Sequence, residues 1–79
     1  PRYPLSARRR EESGTVRLKV LVTPQGTAAR VELEQSSGSS ALDQAALETV
    51  KDWRFLPARR GDESIEAWVK VPVRFRLEE

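Results

Sequence analysis

The chain has 79 residues and contains no cysteine and no histidine, which excludes disulfides, zinc sites built from those residues and catalysis by a histidine base. A chain of this length supports one domain with a small core, because it buries only about 60% of the surface that its unfolded form exposes. Its 14 basic and 12 acidic residues leave a formal charge of +2, far from the charge density of a dedicated nucleic-acid-binding arm.

The sequence carries no targeting signal that can be read directly. No apolar run approaches the roughly 18 to 20 residues that span a bilayer, and no signal-peptide pattern opens the chain. No internal repeat or low-complexity tract divides it. Because it starts at Pro1 without methionine, we expect residues 1–79 to be a single domain cut from a longer protein.

The N-terminal segment, residues 1–13, is mostly polar and predicts one or two turns of helix anchored by Leu5. Three consecutive arginines from Arg8 are followed by Glu11 and Glu12. Because opposite charges lie so close together, this stretch is typical of a solvated surface.

Two strands joined by a turn are predicted next. From Gly14, apolar and mostly polar residues alternate with the period of two that is typical of a half-buried strand. The apolar positions are Val16, Leu18, Val20 and Val22. A turn containing Gly26 leads into a second strand at residues 28–34, in which Val31 and Leu33 are expected to face the core. The two strands predict an antiparallel hairpin.

A helix is predicted after the serine-rich stretch at residues 36–40. Ser40 and Asp43 have nearly the spacing of a capping box. One stripe of residues at helical spacing is expected to face the sheet: Leu42, Ala45, Ala46, Val50 and Trp53. Asp43 is expected to face water, and Trp53 to close the far end of the core.

The C-terminal part predicts a polar loop and one long strand. Pro57 ends the helix, and residues 58–64 read as a loop turning at Gly61. In the strand at residues 65–77, every second residue is apolar: Val69, Val71, Val73, Phe75 and Leu77. Pro72 lacks an N–H group, which favours an edge position. The predicted fold is α+β, a small sandwich of a three-stranded antiparallel sheet covered by one main helix, after a short N-terminal helix.

Side chains that could support catalysis or bind small ligands give weak signals. Glu32 and Glu34 share a strand face at a spacing that could hold a metal, but outward carboxylates are usually ordinary surface charge. The serine-rich stretch lacks the lysine and the glycine pattern of a phosphate loop, so capping is its expected role. We therefore predict no enzymatic activity, no cofactor and no metal site.

Basic residues on outward strand faces leave two interpretations open. These residues are Arg17, Lys19, Arg74 and Arg76. Nucleic-acid binding would also need exposed aromatic side chains for stacking, and Trp68 alone is expected on that surface. The long last strand instead indicates capture of an extended peptide by strand addition. Lys70, Pro72 and Arg74 could equally serve to discourage pairing along this edge.

Five motifs together resemble the C-terminal domain of TonB-type energy transducers. The resemblance covers nearly the whole sequence. Its most specific part is the leucine, acid and alanine pair near the start of the predicted helix together with the tryptophan, arginine, phenylalanine, proline and alanine at and after its end. The motifs are YP at residues 3–4, GTVRLKVLVTPQG from Gly14, SSG at residues 36–38, LDQAALETVKDWRFLPA at residues 42–58 and VPVRF at residues 71–75.

The resemblance implies a domain in the periplasm, belonging to a protein that one N-terminal helix anchors in the inner membrane. Such a domain binds the TonB box, a short segment of outer-membrane TonB-dependent transporters. A complex of the ExbB and ExbD type harvests the proton gradient, and the contact transmits this energy for the uptake of iron siderophores or cobalamin. The alternatives are a TolA-like domain for envelope integrity, a small basic nucleic-acid-binding module and a strand-swapped homodimer.

The resemblance also implies partner-binding residues. The TonB box would add as a strand to the edge formed by Trp68, Val69, Lys70, Val71, Pro72, Val73, Arg74, Phe75 and Arg76. Tyr3 and Pro4 match a family segment near the bound box. Some members have a basic residue two positions after this proline, where this chain has Ser6, so Arg8 is the candidate for that contact.

Overall fold

The computed structural model describes residues 2–77. Within this range the chain forms two helices and five strands. In chain order they are α1 (Leu5–Arg9), β1 (Gly14–Val22), β2 (Ala28–Gln35), α2 (Ser40–Val50), β3 (Ala58–Arg60), β4 (Glu63–Ile65) and β5 (Ala67–Phe75). The first strand lies in the centre of an antiparallel sheet of order β2-β1-β5, and β3 pairs with β4 in a second small sheet. The predicted α+β fold, with its three-stranded sheet, main helix and short N-terminal helix, is confirmed.

The core lies between the sheet and α2, which packs on β1 and β2. The central strand contributes most, because it is covered by a neighbour on each side and its alternate residues all face the helix. Buried apolar side chains are Ala7, Val16, Leu18, Val20, Val22, Leu42, Ala46, Val50, Val73 and Phe75. No helix among the described residues is long and apolar enough to cross a membrane.

The end of α2 differs from the prediction. The helix stops at Val50, and the N–H groups of Asp52 and Trp53 donate to carbonyls three residues earlier, at 3.3 and 3.1 Å. This tighter turn rotates Trp53 out of the apolar stripe, so its side chain remains 39% exposed and packs on Phe55 instead. The expectation that Trp53 closes the core is therefore wrong.

Two predicted anchors of the core are also wrong. Leu33 is 43% exposed, because β2 is an edge strand with one flank open. Leu5 lies on the outer side of α1, and the short helix buries Ala7 instead.

The predicted loop at residues 58–64 forms the β3–β4 hairpin. Gly61 has φ +60°, a conformation that glycine adopts without steric cost, and the Arg59 guanidinium donates to the Asp62 carbonyl at 3.0 Å. As a result, the last strand of the main sheet begins at Ala67 rather than at residue 65.

Gly26 ties the β1–β2 turn to the segment after α2. Its φ is +85°, and a Cβ at this position would collide with the carbonyl oxygen of Phe55. The two residues can therefore approach closely enough for the Phe55 N–H to donate to the Gly26 carbonyl at 2.8 Å.

The first turn of α2 contains a buried carboxylate, that of Asp43, which we predicted from helical spacing to face water. Asp43 is only 9% exposed and accepts hydrogen bonds from the Ser36 hydroxyl, the Ser37 N–H at 3.0 Å and the Ser37 hydroxyl at 2.8 Å. The N-cap is Ser39, not Ser40: its hydroxyl accepts from the Leu42 N–H at 3.2 Å. Burial raises the pKa of Asp43, but the serine hydrogen bonds outweigh burial and hold the pKa below the ordinary value of 3.8.

Asp43→Asn is expected to lower the free energy of unfolding by about 1–3 kcal/mol at neutral pH, because an amide cannot accept from all three donors. A lowered folded-state pKa contributes stability that is present above 3.8 and is lost as the pH falls through the folded-state value. The difference between wild type and variant should therefore shrink in acid. Urea denaturation across a series of pH values checks this, with the exposed Asp52→Asn as control. A difference that persists unchanged in acid would contradict the assignment.

Candidate functional site

β5 is one of the two edge strands of the main sheet, and one row of its backbone groups has no partner strand in the described part of the chain. Nine residue pairs, from Gly14–Phe75 to Val22–Ala67, join β5 to β1 without a register shift. Pro72 lies opposite Arg17 in this unbroken ladder, and a proline there must turn its nitrogen away from β1 because it has no N–H to donate.

The position of Pro72 fixes which backbone groups face outward. Backbone direction alternates along a strand, so the N–H groups of Trp68, Lys70 and Arg74 also point away from β1. The carbonyl groups of these residues and of Pro72 point the same way. We call these outward groups of Trp68, Lys70, Pro72 and Arg74 the β5 edge. It offers three donors and four acceptors to an additional strand.

The two faces of β5 differ in chemistry. On the core side, Val69 and Val71 are half-buried and Val73 and Phe75 are buried. On the outer side, the side chains of the residues that form the β5 edge are all exposed. This alternation confirms the predicted orientation of the last strand.

Ion pairs link the strands across the outer face of the sheet. Lys19 Nζ lies 3.6 Å from a Glu32 carboxylate oxygen and 5.1 Å from the Trp68 ring centroid. Lys70 Nζ lies 3.9 Å from a Glu34 carboxylate oxygen. Both carboxylates suggested above as metal ligands are thus paired with lysines: Glu32 with Lys19 on the adjacent β1, and Glu34 with Lys70 on β5, across the central strand. Among residues 2–77, no cluster of three or more potential metal ligands occurs.

A shallow depression of about 110 Å³ lies on this outer face, between β2, β1 and β5. Its lining includes Arg17, Glu34, Lys70 and Pro72. Arg17 makes no ion pair with another described residue. The sequence did not associate Arg17 with Pro72, because register between strands so far apart in the chain cannot be read from periodicity.

The N-terminal segment lies at the C-terminal end of β5. The Tyr3 ring packs edge-on against Phe75 with centroids 5.5 Å apart, and its hydroxyl donates to the Glu12 carbonyl. The Arg8 guanidinium lies 5.7 Å from the Tyr3 ring centroid, and half-buried Pro4 caps α1. Sequence reasoning missed Glu12, which also accepts from the N-cap hydroxyl at 2.7 Å.

The predicted partner-binding residues therefore form a line and not a cluster. Tyr3, Arg8 and Phe75 meet at one end of β5, and Trp68 lies roughly 23 Å away at about 3.3 Å per residue. Arg76 follows the last residue of the strand. Such an arrangement suits an extended ligand.

Comparisons with known proteins point to one family. Residues 1–77 match the family described as Gram-negative bacterial TonB protein C-terminal. The chain is 48% identical over 77 residues to Protein tonB2 of Pseudomonas aeruginosa, covering 98% of this chain and 28% of that protein. It is 41% identical over 78 residues to Protein TonB of Vibrio cholerae, covering 99% of this chain and 32% of that protein. The chain thus spans less than a third of either relative.

Proposed function

The chain belongs to the family of C-terminal domains of Gram-negative bacterial TonB proteins, and from that membership we propose that it links an energy-transducing protein to outer-membrane transporters. In this proposal the β5 edge binds the TonB box of a TonB-dependent transporter as an additional strand. The role of the domain is to bind and transmit force, with no catalysis.

The observation that carries the proposal is the unpaired β5 edge. Strand addition derives affinity from backbone hydrogen bonds, and side chains on alternate faces then adjust specificity. Because backbone groups are the same in every peptide, one edge can serve several transporters. Hydrogen bonds that must shear together also suit a contact that transmits a pulling force along the strand.

The proposal also covers the cellular location of the domain and the partners of the longer protein to which it would belong. We propose that it lies in the periplasm, in a longer protein anchored to the inner membrane. An ExbB/ExbD-type complex would act through other parts of that protein and supply energy from the proton gradient. Iron siderophores and cobalamin are the proposed cargoes of the transporters it serves.

Nucleic-acid binding has less support. Three of the four basic residues that suggested it, Arg17, Lys19 and Arg74, lie on the outer face, where Glu32 and Glu34 also lie. These carboxylates would repel phosphates that approach the sheet. Phosphate contacts would also give a steep salt dependence.

Calorimetric titration with a synthetic TonB-box peptide tests the proposal. We expect binding with modest salt dependence. Binding should be lost when two adjacent central peptide residues are replaced by proline, because one of any two adjacent N–H groups faces β5 in either strand direction. Equal affinity for the intact and proline-containing peptides would contradict strand addition. A steep fall in affinity with salt would indicate a mainly ionic contact.

A further inference from the structure

The side chains beside the β5 edge differ between the two faces of the sheet, and an added strand would meet both. In either strand direction, a peptide residue opposite a β5 residue lies on the same face as that residue. The peptide residues opposite Lys70, Pro72 and Arg74 would therefore lie on the outer face. Those opposite Val71 and Val73 would lie on the core face.

The outer face next to the edge is positively charged. The ion pair between Lys70 and Glu34 is weak, because the Lys70 side chain is 81% exposed and its Nζ lies 3.9 Å from the Glu34 carboxylate oxygen. Arg74 is exposed and makes no ion pair with another described residue. Arg17 adds a third cation in the depression behind Pro72. The β2 backbone lies three inter-strand spacings, roughly 14 Å, from an added strand. Of its carboxylates, Glu34 reaches across β1 to within 3.9 Å of Lys70 Nζ and offsets part of this charge.

The core face next to the edge is aliphatic. Val71 is half-buried and Val73 buried, and both pack with the core of the domain. A charged peptide side chain on this face would lose hydration without gaining a partner.

From these two faces we infer that the β5 edge selects peptides with an acidic, aliphatic, neutral, aliphatic, acidic pattern. The two acidic residues lie opposite Lys70 and Arg74, the neutral residue over the Pro72 ring, and the aliphatic residues beside Val71 and Val73. The pattern reads the same in both directions, so it holds for parallel and antiparallel addition. This inference rests on the proposed strand addition and specifies the chemistry of its ligand.

Three short synthetic peptides flanked by glycine and serine test the selection, with cores Glu-Val-Thr-Val-Glu, Gln-Val-Thr-Val-Gln and Lys-Val-Thr-Val-Lys. Opposite charges directly across a strand pair favour binding modestly, so each glutamate should raise affinity about two- to fivefold over glutamine. The lysine peptide should bind most weakly. Titrations of the whole chain, followed by backbone amide shifts, give the dissociation constants.

A charge-reversed protein provides the matched control. The double variant Lys70→Glu, Arg74→Glu should prefer the lysine peptide, and its urea denaturation reports whether the fold is kept. Equal affinities of the wild type for all three peptides, with shifts along β5, would overturn the selectivity while strand addition stands. Equal binding of a Glu-Pro-Pro-Val-Glu peptide, which keeps the charges but in either strand direction lacks an N–H group that would face β5, would instead overturn strand addition itself.

Discussion

Lys70→Pro is expected to weaken binding of a TonB-box peptide at least about tenfold while the domain stays folded. The Lys70 N–H belongs to the β5 edge, so proline removes a donor that the added strand uses. The proline ring also occupies the space that the strand would enter. Together these effects exceed the 1.4 kcal/mol that corresponds to a tenfold change. Pro72, two residues along the same strand and facing the same way, shows that β5 accepts proline at such a position.

Two control variants separate the possible causes. Lys70→Ala removes the charge and keeps the N–H, so its loss of affinity should stay within about two- to fivefold. Val71→Pro removes an N–H directed at β1 and leaves its acceptor unsatisfied, which should cost about 1–3 kcal/mol of folding stability. Peptide titration and urea denaturation of all three variants check the set. Equal loss of stability in Lys70→Pro and Val71→Pro would mean that the outward and inward positions have been assigned wrongly.

Leu18→Ala is expected to lower the free energy of unfolding by about 2–5 kcal/mol. Leu18 is 0% exposed at the centre of β1, between both neighbouring strands and beneath α2. Its removal would leave a cavity that the surrounding strands cannot close. A domain of this size has a total stability of about 4–12 kcal/mol, so the variant should be close to unfolding.

The matched control is Leu33→Ala, because Leu33 pairs with Leu18 in the β1–β2 ladder but is 43% exposed. We expect it to cost less than half as much, since much of its side chain already contacts water. Urea midpoints and slopes of both variants measure the difference. Similar losses in the two variants would show that Leu33 is buried in solution and that the core extends across β2.

Periodicity was sufficient to predict the main sheet. In β1 and β5 one face meets the core and the other meets water, so alternating residues reveal both the strand and its orientation. Pro72 further indicated that the last strand lies at an edge of the sheet, because a proline within a strand is found mainly on edge strands or at bulges. The helix was recognisable from its spacing, and family motifs suggested which surface to consider for binding.

Features that depend on tertiary packing were not predictable in this way. Asp43 reads as a surface residue by helical spacing, yet the serines before α2 fold back to satisfy its carboxylate. Trp53 continues the apolar stripe in sequence, but the tighter turn after Val50 changes its direction. The pairing of Arg17 with Pro72 depends on contacts between residues distant in the chain, which a single sequence does not report.

Amide hydrogen exchange along β5, measured with and without a TonB-box peptide, tests strand addition most directly. The account predicts that the amides of Trp68, Lys70 and Arg74 exchange quickly in the free domain and become protected when the peptide binds. The amides of Val69, Val71 and Val73 donate to β1 and should be protected in both states. Protection that appears elsewhere on the domain, with these three outward amides unchanged under saturating peptide, would contradict binding at the β5 edge.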